Sequence, residues 1–506
     1  MADTTGTTGT TGTTGTTDTT GIMRTTTNTT TGGGTGSGAG AHTRVQIFEV
    51  STLYGAATLA AALDAGLFGP WHRTLRVLLV SNNAEVPETA SRLDGMRGWH
   101  RLAARFDRVV DWNDAIRPHH PSTWSPAGND CPLWERMFRA SWDLGDGPVD
   151  LVVESVHVSP AKALAAIFAS ASVHVYADGL MSYGPTREKL PQTLACRIQR
   201  LLHLDLVPGL TPLLLTEYGV PSELVPNEVF RSVLDELDDA AGDDGLDAEL
   251  DPDGEGMPTA VLLGQYLAAL GILTADEEEA LHERMLRGAA AAGHRTVLFK
   301  PHPTAPARYS RVLDKAAADT GVRLVVPRRP MLAETVFRRC RPELVVGCFS
   351  TALLTASALY GVPVARVGTG PLLDRLTPYQ NSNRVPLTLV DALVPDLEAP
   401  GEGEGPRGEV VTESAEAVRR AEPLVRAVGY CMQAERYPAL RAEAEAWLTA
   451  HLDDTTVRYF KRRRLTALGL PGGLTPGLVR RLPGSDHALR AARRVRRAAA
   501  ARARGK

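Results

Sequence analysis

The sequence predicts an α/β protein built from two Rossmann-like, doubly wound domains that face a central cleft. Short apolar runs alternate with stretches of helical apolar spacing along most of the chain, a pattern typical of parallel sheets covered on both faces. The pattern occurs twice, and an acidic, glycine-containing segment at 234–258 separates the two occurrences. The chain has 506 residues, more than one ordinary hydrophobic core accommodates, so two domains are expected.

The N-terminal domain is predicted at 43–233, after a Thr- and Gly-rich tail at 1–42 that has too little apolar surface to fold. Its predicted strands are the apolar runs at 45–50, 75–80, 106–110, 150–154 and 173–176. Apolar spacing predicts helices after the first strand and around 88–104. The acidic segment at 234–258 is predicted to be an exposed linker or surface loop.

The C-terminal domain is predicted at 259–455 and is followed by a basic extension at 456–506. Its predicted strands are the apolar runs at 260–264, 296–299, 322–326, 344–347 and 362–367. Thr274 and the acidic residues that follow it are typical of a helix N-terminus, so a helix is expected at 275–292. Two such domains place a ligand cleft at the carboxyl ends of their strands.

The composition is that of a globular protein, with 43% hydrophobic and 22% charged residues and a net charge of -3. Five widely spaced cysteines form no CxxC or Cys/His cluster, which argues against a structural zinc site and favours a reducing compartment. The sequence shows no apolar run long enough to cross a bilayer and no apolar signal-peptide core at its start. These features predict a cytoplasmic protein.

The stretch VLFKPHP at 297–303 ends a predicted strand with a lysine, then a histidine between two prolines. Pro301 and Pro303 restrict the backbone on either side of His302, whose imidazole can donate a hydrogen bond or a proton near neutral pH. Lys300 adds a positive charge suited to phosphate. A rigid turn with a locally bonded histidine is the alternative interpretation.

Three shorter motifs also follow predicted strands. In CFSTALLTA, Ser350 and Thr351 open an apolar helix, where backbone N–H groups and hydroxyls favour phosphate, although both residues are also ordinary N-caps. Asp178, in VYADGLMSYG, is placed to act as a general base, with a simple Asp-Gly turn as the alternative. Gly264 and Gln265 follow the first strand of the second domain, where glycine permits close approach of a ligand.

These motifs, in this order, resemble those of bacterial sialyltransferases, and most closely the α-2,8-polysialyltransferase-like family of capsule enzymes. The family's acidic-acidic-glycine motif corresponds to 177–179, its HP motif to 302–303, and its Ser-Ser or Ser-Thr motif to 350–351. The opening IFEVSTLYGAATLAAAL is similar to the family's first strand, loop and helix. One departure is visible: Ala177 stands at the first acidic position, and Asp178 occupies the second.

The resemblance implies a GT-B fold and inverting transfer of sialic acid, or a related sugar acid, from a CMP-activated donor to a glycan or glycolipid hydroxyl. It implies no metal and no cofactor, because lysine, histidine and hydroxyls can offset phosphate charge. Asp178 would be the general base, and His302 the general acid or phosphate ligand. The implied donor-binding residues are Lys300, Pro303, Ser350, Thr351, Gly264 and Gln265, and the implied acceptor-side residues are Ser51, Thr52 and Tyr54.

Alternatives stay open at this point. Other GT-B-like enzymes that use a UDP-sugar or CDP-glycerol, as transferases or epimerases, also place His and Ser/Thr against phosphates, and a non-catalytic nucleotide-sugar-binding relative would share the motifs. The arginine-rich stretch at 489–506 predicts attraction to anionic lipid at the inner face of the plasma membrane, or to an anionic glycan, with a solvated tail as the alternative. No recognition motif supports binding of a specific nucleic acid.

Overall fold

The computed structural model describes residues 43–88, 90–240, 242, 245–302, 308–399, 408–411 and 415–474. The strands of the first half are β1 (Arg44–Val50), β2 (Thr74–Val80), β3 (Arg108–Asp111), β4 (Val149–Val153), β5 (Ser172–Ala177), β6 (Ile198–Leu204) and β7 (Ser222–Val225). Within the described residues they form one parallel sheet in the order β3-β2-β1-β4-β5-β6-β7. The strand order reverses between β1 and β4, so the ligand crevice is expected there.

Helices cover the first sheet. They are α1 (Leu53–Asp64), α2 (Trp99–Ala103), α3 (Trp112–Ile116), α4 (Cys131–Ser141), α5 (Ala161–Ile167), α6 (Gln192–Ala195) and α7 (Asn227–Ala240). Helix α1 is apolar almost all round and buried along most of its length, as expected for a helix enclosed between a sheet and other helices. The helix predicted around 88–104 is shorter than expected, because Gly98 takes a left-handed conformation (φ 71°) immediately before α2.

The second half repeats the same topology. Its strands are β8 (Ala260–Leu263), β9 (Thr296–Lys300), β10 (Arg323–Val325), β11 (Leu344–Gly347) and β12 (Val364–Arg366), in the parallel order β10-β9-β8-β11-β12 among the described residues. Its helices are α8 (Leu246–Leu250), α9 (Ala275–Ala291), α10 (Arg308–Thr320), α11 (Ala333–Cys340), α12 (Thr351–Tyr360), α13 (Thr369–Arg375), α14 (Arg384–Leu393), α15 (Ala415–Gln433), α16 (Arg441–His451) and α17 (Arg462–Leu468). The prediction of two doubly wound, Rossmann-like halves in a GT-B-like arrangement is confirmed.

The acidic segment at 234–258 differs from the exposed loop that its composition predicted. Its first part is the end of α7, and Leu234 and Leu237 are buried in the core. The carboxylate of Asp238 is also buried, 2.6 Å from both Arg338 Nη1 and Arg339 Nε. The apolar spacing along α7 therefore outweighs its negative charge, because arginines of α11 neutralise the buried carboxylate.

The segment that follows the second sheet returns to the first half. Tyr437, after α15, donates a hydrogen bond from its hydroxyl to Glu217 (2.6 Å) and accepts one from the backbone N–H of Thr186 (2.9 Å). Since Thr186 and Glu217 belong to the first half, residues after α15 contact both halves. Among the described residues, no helix is long and apolar enough to cross a membrane. The predicted tails at 1–42 and 489–506 lie outside the described residues.

Candidate active site

Asp178 follows β5 directly, at the seam between the two halves. The next residue, Gly179, lies against the start of α12: a Cβ atom there would be 3.2 Å from Thr351 Oγ1. Glycine thus lets the loop after β5 approach the second half closely. The first-half motif that contains Asp178 and the second-half motif that contains Thr351 therefore meet, as their positions at strand ends predicted.

Asp178 belongs to a cluster of three carboxylates at the carboxyl ends of β1, β4 and β5. Ser51 Oγ donates a hydrogen bond to Glu154 Oε2 (3.0 Å), and the backbone N–H of Glu154 donates to Glu49 Oε2 (3.3 Å). Burial, together with the charge of Glu154, raises the pKa of Asp178 to about 7 and that of Glu49 to about 8. Asp178 is therefore poised to accept a proton near neutral pH.

The KPHP loop lies at the equivalent edge of the second sheet. Lys300 ends β9, and the ring of His302 lies beside Tyr266, with ring centroids 4.0 Å apart. Burial, and secondarily the charge of Lys300, lowers the pKa of His302 to about 4. In the ligand-free protein the imidazole is therefore neutral at pH 7, and a bound phosphate would raise its pKa. Pro303 lies outside the described residues.

Gly264 and Gln265 hold the neighbouring loops together. The backbone N–H of Gly264 donates to the carbonyl of Lys300 (2.9 Å), and a Cβ on Gly264 would lie 2.9 Å from Phe299 Cζ. The side-chain oxygen of Gln265 accepts a hydrogen bond from the backbone N–H of Phe349 (2.9 Å). These contacts align the loops after β8, β9 and β11, and direct contact of Gly264 and Gln265 with a donor stays a prediction.

Ser350 and Thr351 stand at the N-terminus of α12. Ser350 is the N-cap, and its Oγ accepts a hydrogen bond from the backbone N–H of Ala352 (3.3 Å). Ser350 is thus an N-cap, which was the alternative to phosphate binding. The cap uses only the side-chain oxygen as an acceptor, so the hydroxyl proton can still be donated to a ligand. The positive end of the α12 dipole and the Thr351 hydroxyl therefore lie at the seam beside Gly179.

The predicted acceptor-side residues have three different positions. Ser51 joins the carboxylate cluster through Glu154, whereas Thr52 caps α1 by accepting a hydrogen bond from Gly55 N (2.9 Å). Tyr54 lies in the seam, with its hydroxyl 3.4 Å from Thr355 Oγ1 in α12. Burial raises the pKa of Tyr54, and the charges of Glu334 and Asp178 add to this effect. Tyr54 therefore lies between the carboxylate of Asp178 in the first half and that of Glu334 in the second.

Sequence reasoning missed three of these carboxylates: Glu49, Glu154 and Glu334. Glu334 is buried in the first turn of α11, where burial raises its pKa to about 7 and Lys300 opposes the shift. Glu154 had a usable signal, because it follows an apolar strand in the same way as Asp178. Among the described residues, no group of three or more His, Cys, Asp or Glu side chains is placed to hold a metal ion.

The comparison with protein families identifies the chain. A family model described as alpha-2,8-polysialyltransferase (POLYST) matches residues 46–369, more than half of the sequence. The chain belongs to this family. It is therefore a glycosyltransferase, with a nucleotide-sugar donor and a glycan acceptor, and all the motifs described above lie within the matched range. No curated protein matches the sequence.

Comparison with solved structures finds similar chains, all at low similarity. The GT-B domain of a sialyltransferase from Photobacterium damselae is 11% identical, with a TM-score of 0.39 over 68% of this chain and 95% of that one. A putative UDP-N-acetylglucosamine 2-epimerase from Listeria monocytogenes is 12% identical (TM-score 0.39; 80% and 98% covered). MurG from Acinetobacter baumannii is 11% identical (TM-score 0.35; 75% and 94% covered). No functional argument rests on these similarities.

The carboxylate cluster makes a testable prediction for the polysialyltransferase-family site. In Glu154→Gln, burial still raises the pKa of Asp178, but the repulsion from Glu154 is lost, so Asp178 should ionise at lower pH. The resemblance implies that Asp178 is the general base, and a base must be ionised, so activity is expected to fall as pH drops through about 7 in the wild type and at a lower pH in the variant. The measurement is kcat/KM against pH, with the exposed Glu85→Gln as control. An unchanged acid limb in Glu154→Gln would contradict the assignment.

Proposed function

We propose that the protein is an inverting, metal-independent glycosyltransferase that moves sialic acid, or a related sugar acid, from a CMP-activated donor to a glycan hydroxyl. The observation that carries the proposal is the meeting of two groups across the seam. A carboxylate with a pKa of about 7, Asp178, stands beside the N-terminus of α12, where Ser350 and Thr351 carry their hydroxyls. One half supplies a base and the other supplies donors for a phosphate.

In the proposed reaction, Asp178 accepts the proton of the acceptor hydroxyl as its oxygen attacks the anomeric carbon of the donor sugar. The bond from that carbon to the CMP phosphate breaks, and its electron pair stays on the phosphate. The base and the phosphate donors belong to opposite halves of the protein, so attack and departure occur on opposite faces of the sugar. This placement supports inversion of the anomeric configuration.

The leaving phosphate gains negative charge, and the second half offers four kinds of hydrogen-bond donor to it. These are the His302 ring N–H, the Ser350 and Thr351 hydroxyls, the backbone N–H groups that open α12, and the ammonium of Lys300. Groups placed in advance where charge develops stabilise the transition state without reorganisation. Since His302 has a pKa of about 4 before binding, it would begin as a hydrogen-bond donor and gain a proton as the phosphate charge raises its pKa.

Lysine, hydroxyls and a helix N-terminus supply the countercharge that a divalent cation supplies in other transferases, which supports metal independence. No cofactor beyond the donor substrate is proposed. Cytoplasmic location, and attachment of the basic tail at 489–506 to anionic membrane, stay predictions.

The nucleotide preference tests this proposal. Thermal unfolding should be followed with CMP, CDP, UMP, UDP and CMP-sialic acid, each without added metal. We expect CMP and CMP-sialic acid to raise the melting temperature, because a ligand at about 100 times its dissociation constant stabilises the native state by roughly 2.7 kcal/mol. A response to UDP or CDP alone would overturn the proposed donor and support the UDP-sugar or CDP-glycerol alternatives.

The chain offers a matched control for this experiment. Ser350 and Thr274 both cap helices of the second half, α12 and α9, so replacing either with alanine should cost about 1 kcal/mol of stability. Only Ser350→Ala should also reduce the shift that CMP produces, because only this hydroxyl faces the proposed phosphate site. Equal CMP shifts in both variants would contradict phosphate binding by Ser350.

A further inference from the structure

Helix α7 lies between the two halves and is docked tightly on the first. A Cβ atom added to Gly98, in the loop before α2, would lie 2.7 Å from the carbonyl oxygen of Leu237, so the backbones of this loop and of α7 are in close contact. The ring of Phe230 packs edge-on against Tyr54 of α1, with ring centroids 5.2 Å apart. Since interiors packed this closely deform little, α7 is expected to move with the first half.

The same helix holds the far end of α12 in the second half. Arg231 Nη1 donates a hydrogen bond to the carbonyl of Leu359 (3.0 Å), in the last turn of α12, and its guanidinium lies 5.5 Å from the ring centroid of Tyr360. A cation is favoured there, because the last carbonyls of a helix lack intrahelical partners and its dipole ends in negative charge. The opposite end of α12 carries Ser350 and Thr351 at the seam. A contact with α7 therefore fixes one end of the helix whose other end forms part of the site.

Helix α11, the neighbour of α12, is held by a second contact with α7. The buried carboxylate of Asp238 lies 2.6 Å from both Arg338 Nη1 and Arg339 Nε in the last turn of α11. In turn, α11 packs on α12 through Phe337 and Tyr360, whose ring centroids are 5.8 Å apart. Because a buried carboxylate is stable only beside its countercharges, α11 and α12 cannot slide along α7 without a large cost.

We propose that α7 fixes the register between the two halves of the site, with Arg231 and Asp238 as positioning residues for the reaction. Both residues contact the last turns of α12 and α11, so they act through these helices and not on the substrate. The effect is to hold the phosphate donors of the second half at a set distance from Asp178 in the first. This inference rests on the proposed function, because it takes the start of α12 as the donor-phosphate site.

Replacing Arg231 with glutamine should lower the turnover number for CMP release from CMP-sialic acid, with sialyllactose as acceptor, by about 10- to 100-fold, since a displacement of about 1 Å can cost that much. The dissociation constant of CMP, measured by calorimetry, should not change. This split is expected because the proposed CMP contacts all belong to the second half, whereas turnover needs both halves in register. Arg231→Lys keeps the cation and should recover part of the turnover.

Asp238→Asn should change turnover in the same direction, but loss of one partner from a buried ion pair is strongly destabilising. Arg231 is exposed, so Arg231→Gln keeps the test open if Asp238→Asn does not fold. Arg105→Gln is the matched control. Arg105 pairs with Asp64 of α1 (2.7 Å) and Glu236 of α7 (2.6 Å), so it contacts the same helix from the first half alone. Its loss should lower the melting temperature and leave turnover and CMP affinity unchanged.

The distance between the two halves gives a measurement that needs no activity. Of the five cysteines, Cys196 in the first half is exposed and the others are buried, and Lys315→Cys adds a second exposed thiol on α10. Nitroxide labels on these two thiols report the distribution of distances between the halves by pulsed electron resonance. With CMP bound, Arg231→Gln should broaden or displace this distribution, whereas Arg105→Gln should leave it as it is.

The two measurements separate this inference from the proposed function. An altered distance distribution in Arg231→Gln, in a protein that does not release CMP from CMP-sialic acid, would support the role of α7 and overturn the proposed function. Equal CMP release and equal distributions in wild type and Arg231→Gln would support the proposed function and overturn the role of α7. A parallel loss of turnover and CMP affinity in Arg231→Gln would also overturn it, because Arg231 would then only stabilise the second half.

Discussion

Replacing Asp178 with asparagine should lower the turnover number for glycosyl transfer by roughly 10²- to 10⁴-fold, the usual contribution of a general base. The amide keeps the shape of the carboxylate but cannot accept a proton, so the affinity for CMP should not change. Burial raises the pKa of Asp178 to about 7 in the folded protein. The free energy of unfolding should therefore fall as pH rises through that value and the buried carboxyl ionises. The asparagine variant does not ionise, and its melting temperature above pH 7 should equal or exceed that of the wild type.

Asp205→Asn is the matched control for this variant. Asp205 follows β6, the strand beside β5, and burial raises its pKa as well, but it lies outside the carboxylate cluster. Its replacement should leave turnover unchanged. If Asp178→Asn retains wild-type turnover with the donor bound, Asp178 is not the base. If it loses CMP affinity in parallel with turnover, the site has been disturbed as a whole and the assigned role is wrong.

Replacing His302 with alanine should lower the turnover number by about 10²- to 10³-fold, the typical effect of removing one donor to a developing charge. The imidazole has a pKa of about 4 before binding, because it is buried and lies near Lys300. A bound phosphate should raise this pKa, and NMR titration of the ring with and without CMP measures the change directly. The variant should lose less affinity for CMP than turnover, since the charge on the phosphate grows as the bond breaks.

His294→Ala provides the comparison. His294 is also half-buried with a lowered pKa, but it lies 3.1 Å from Thr259 Oγ1, at the amino edge of the second sheet. We expect no change in turnover there. An unaltered His302 pKa on addition of CMP, together with normal turnover in His302→Ala, would remove His302 from the reaction and leave KPHP as a rigid turn.

The sequence was most informative where polar residues follow apolar strands. Asp178, Lys300 and Ser350 could be assigned to one edge of each sheet because parallel strands in a doubly wound fold end at the same side. Their meeting across the seam followed from the fold and not from spacing, since Gly179 and Thr351 are far apart in the chain. In the structure, a Cβ atom added to Gly179 would lie 3.2 Å from Thr351 Oγ1. Strand β6 was missed because Arg200 and His203 interrupt its apolar run.

Other parts of the site depend on tertiary contacts that no local pattern carries. Glu49 lies inside the first strand, and only its neighbours on β4 show that it joins Glu154. The acidic composition around Asp238 predicts an exposed carboxylate, whereas in the structure two arginines of α11 neutralise it. Arg436 also reaches the first half, where it donates to the carbonyl of Thr186, and its neighbour Tyr437 donates to Glu217 there.

The central claim, that this polysialyltransferase-family protein uses a CMP-activated sugar acid through Asp178 and His302, is tested most directly by incubation with CMP-sialic acid and sialyllactose. We predict release of CMP and a transferred sialic acid of inverted anomeric configuration, with the rate reduced at least about 100-fold in both Asp178→Asn and His302→Ala. The claim would be contradicted if the wild-type protein left CMP-sialic acid intact but consumed a UDP-sugar. It would also be contradicted if both variants released CMP as fast as the wild type.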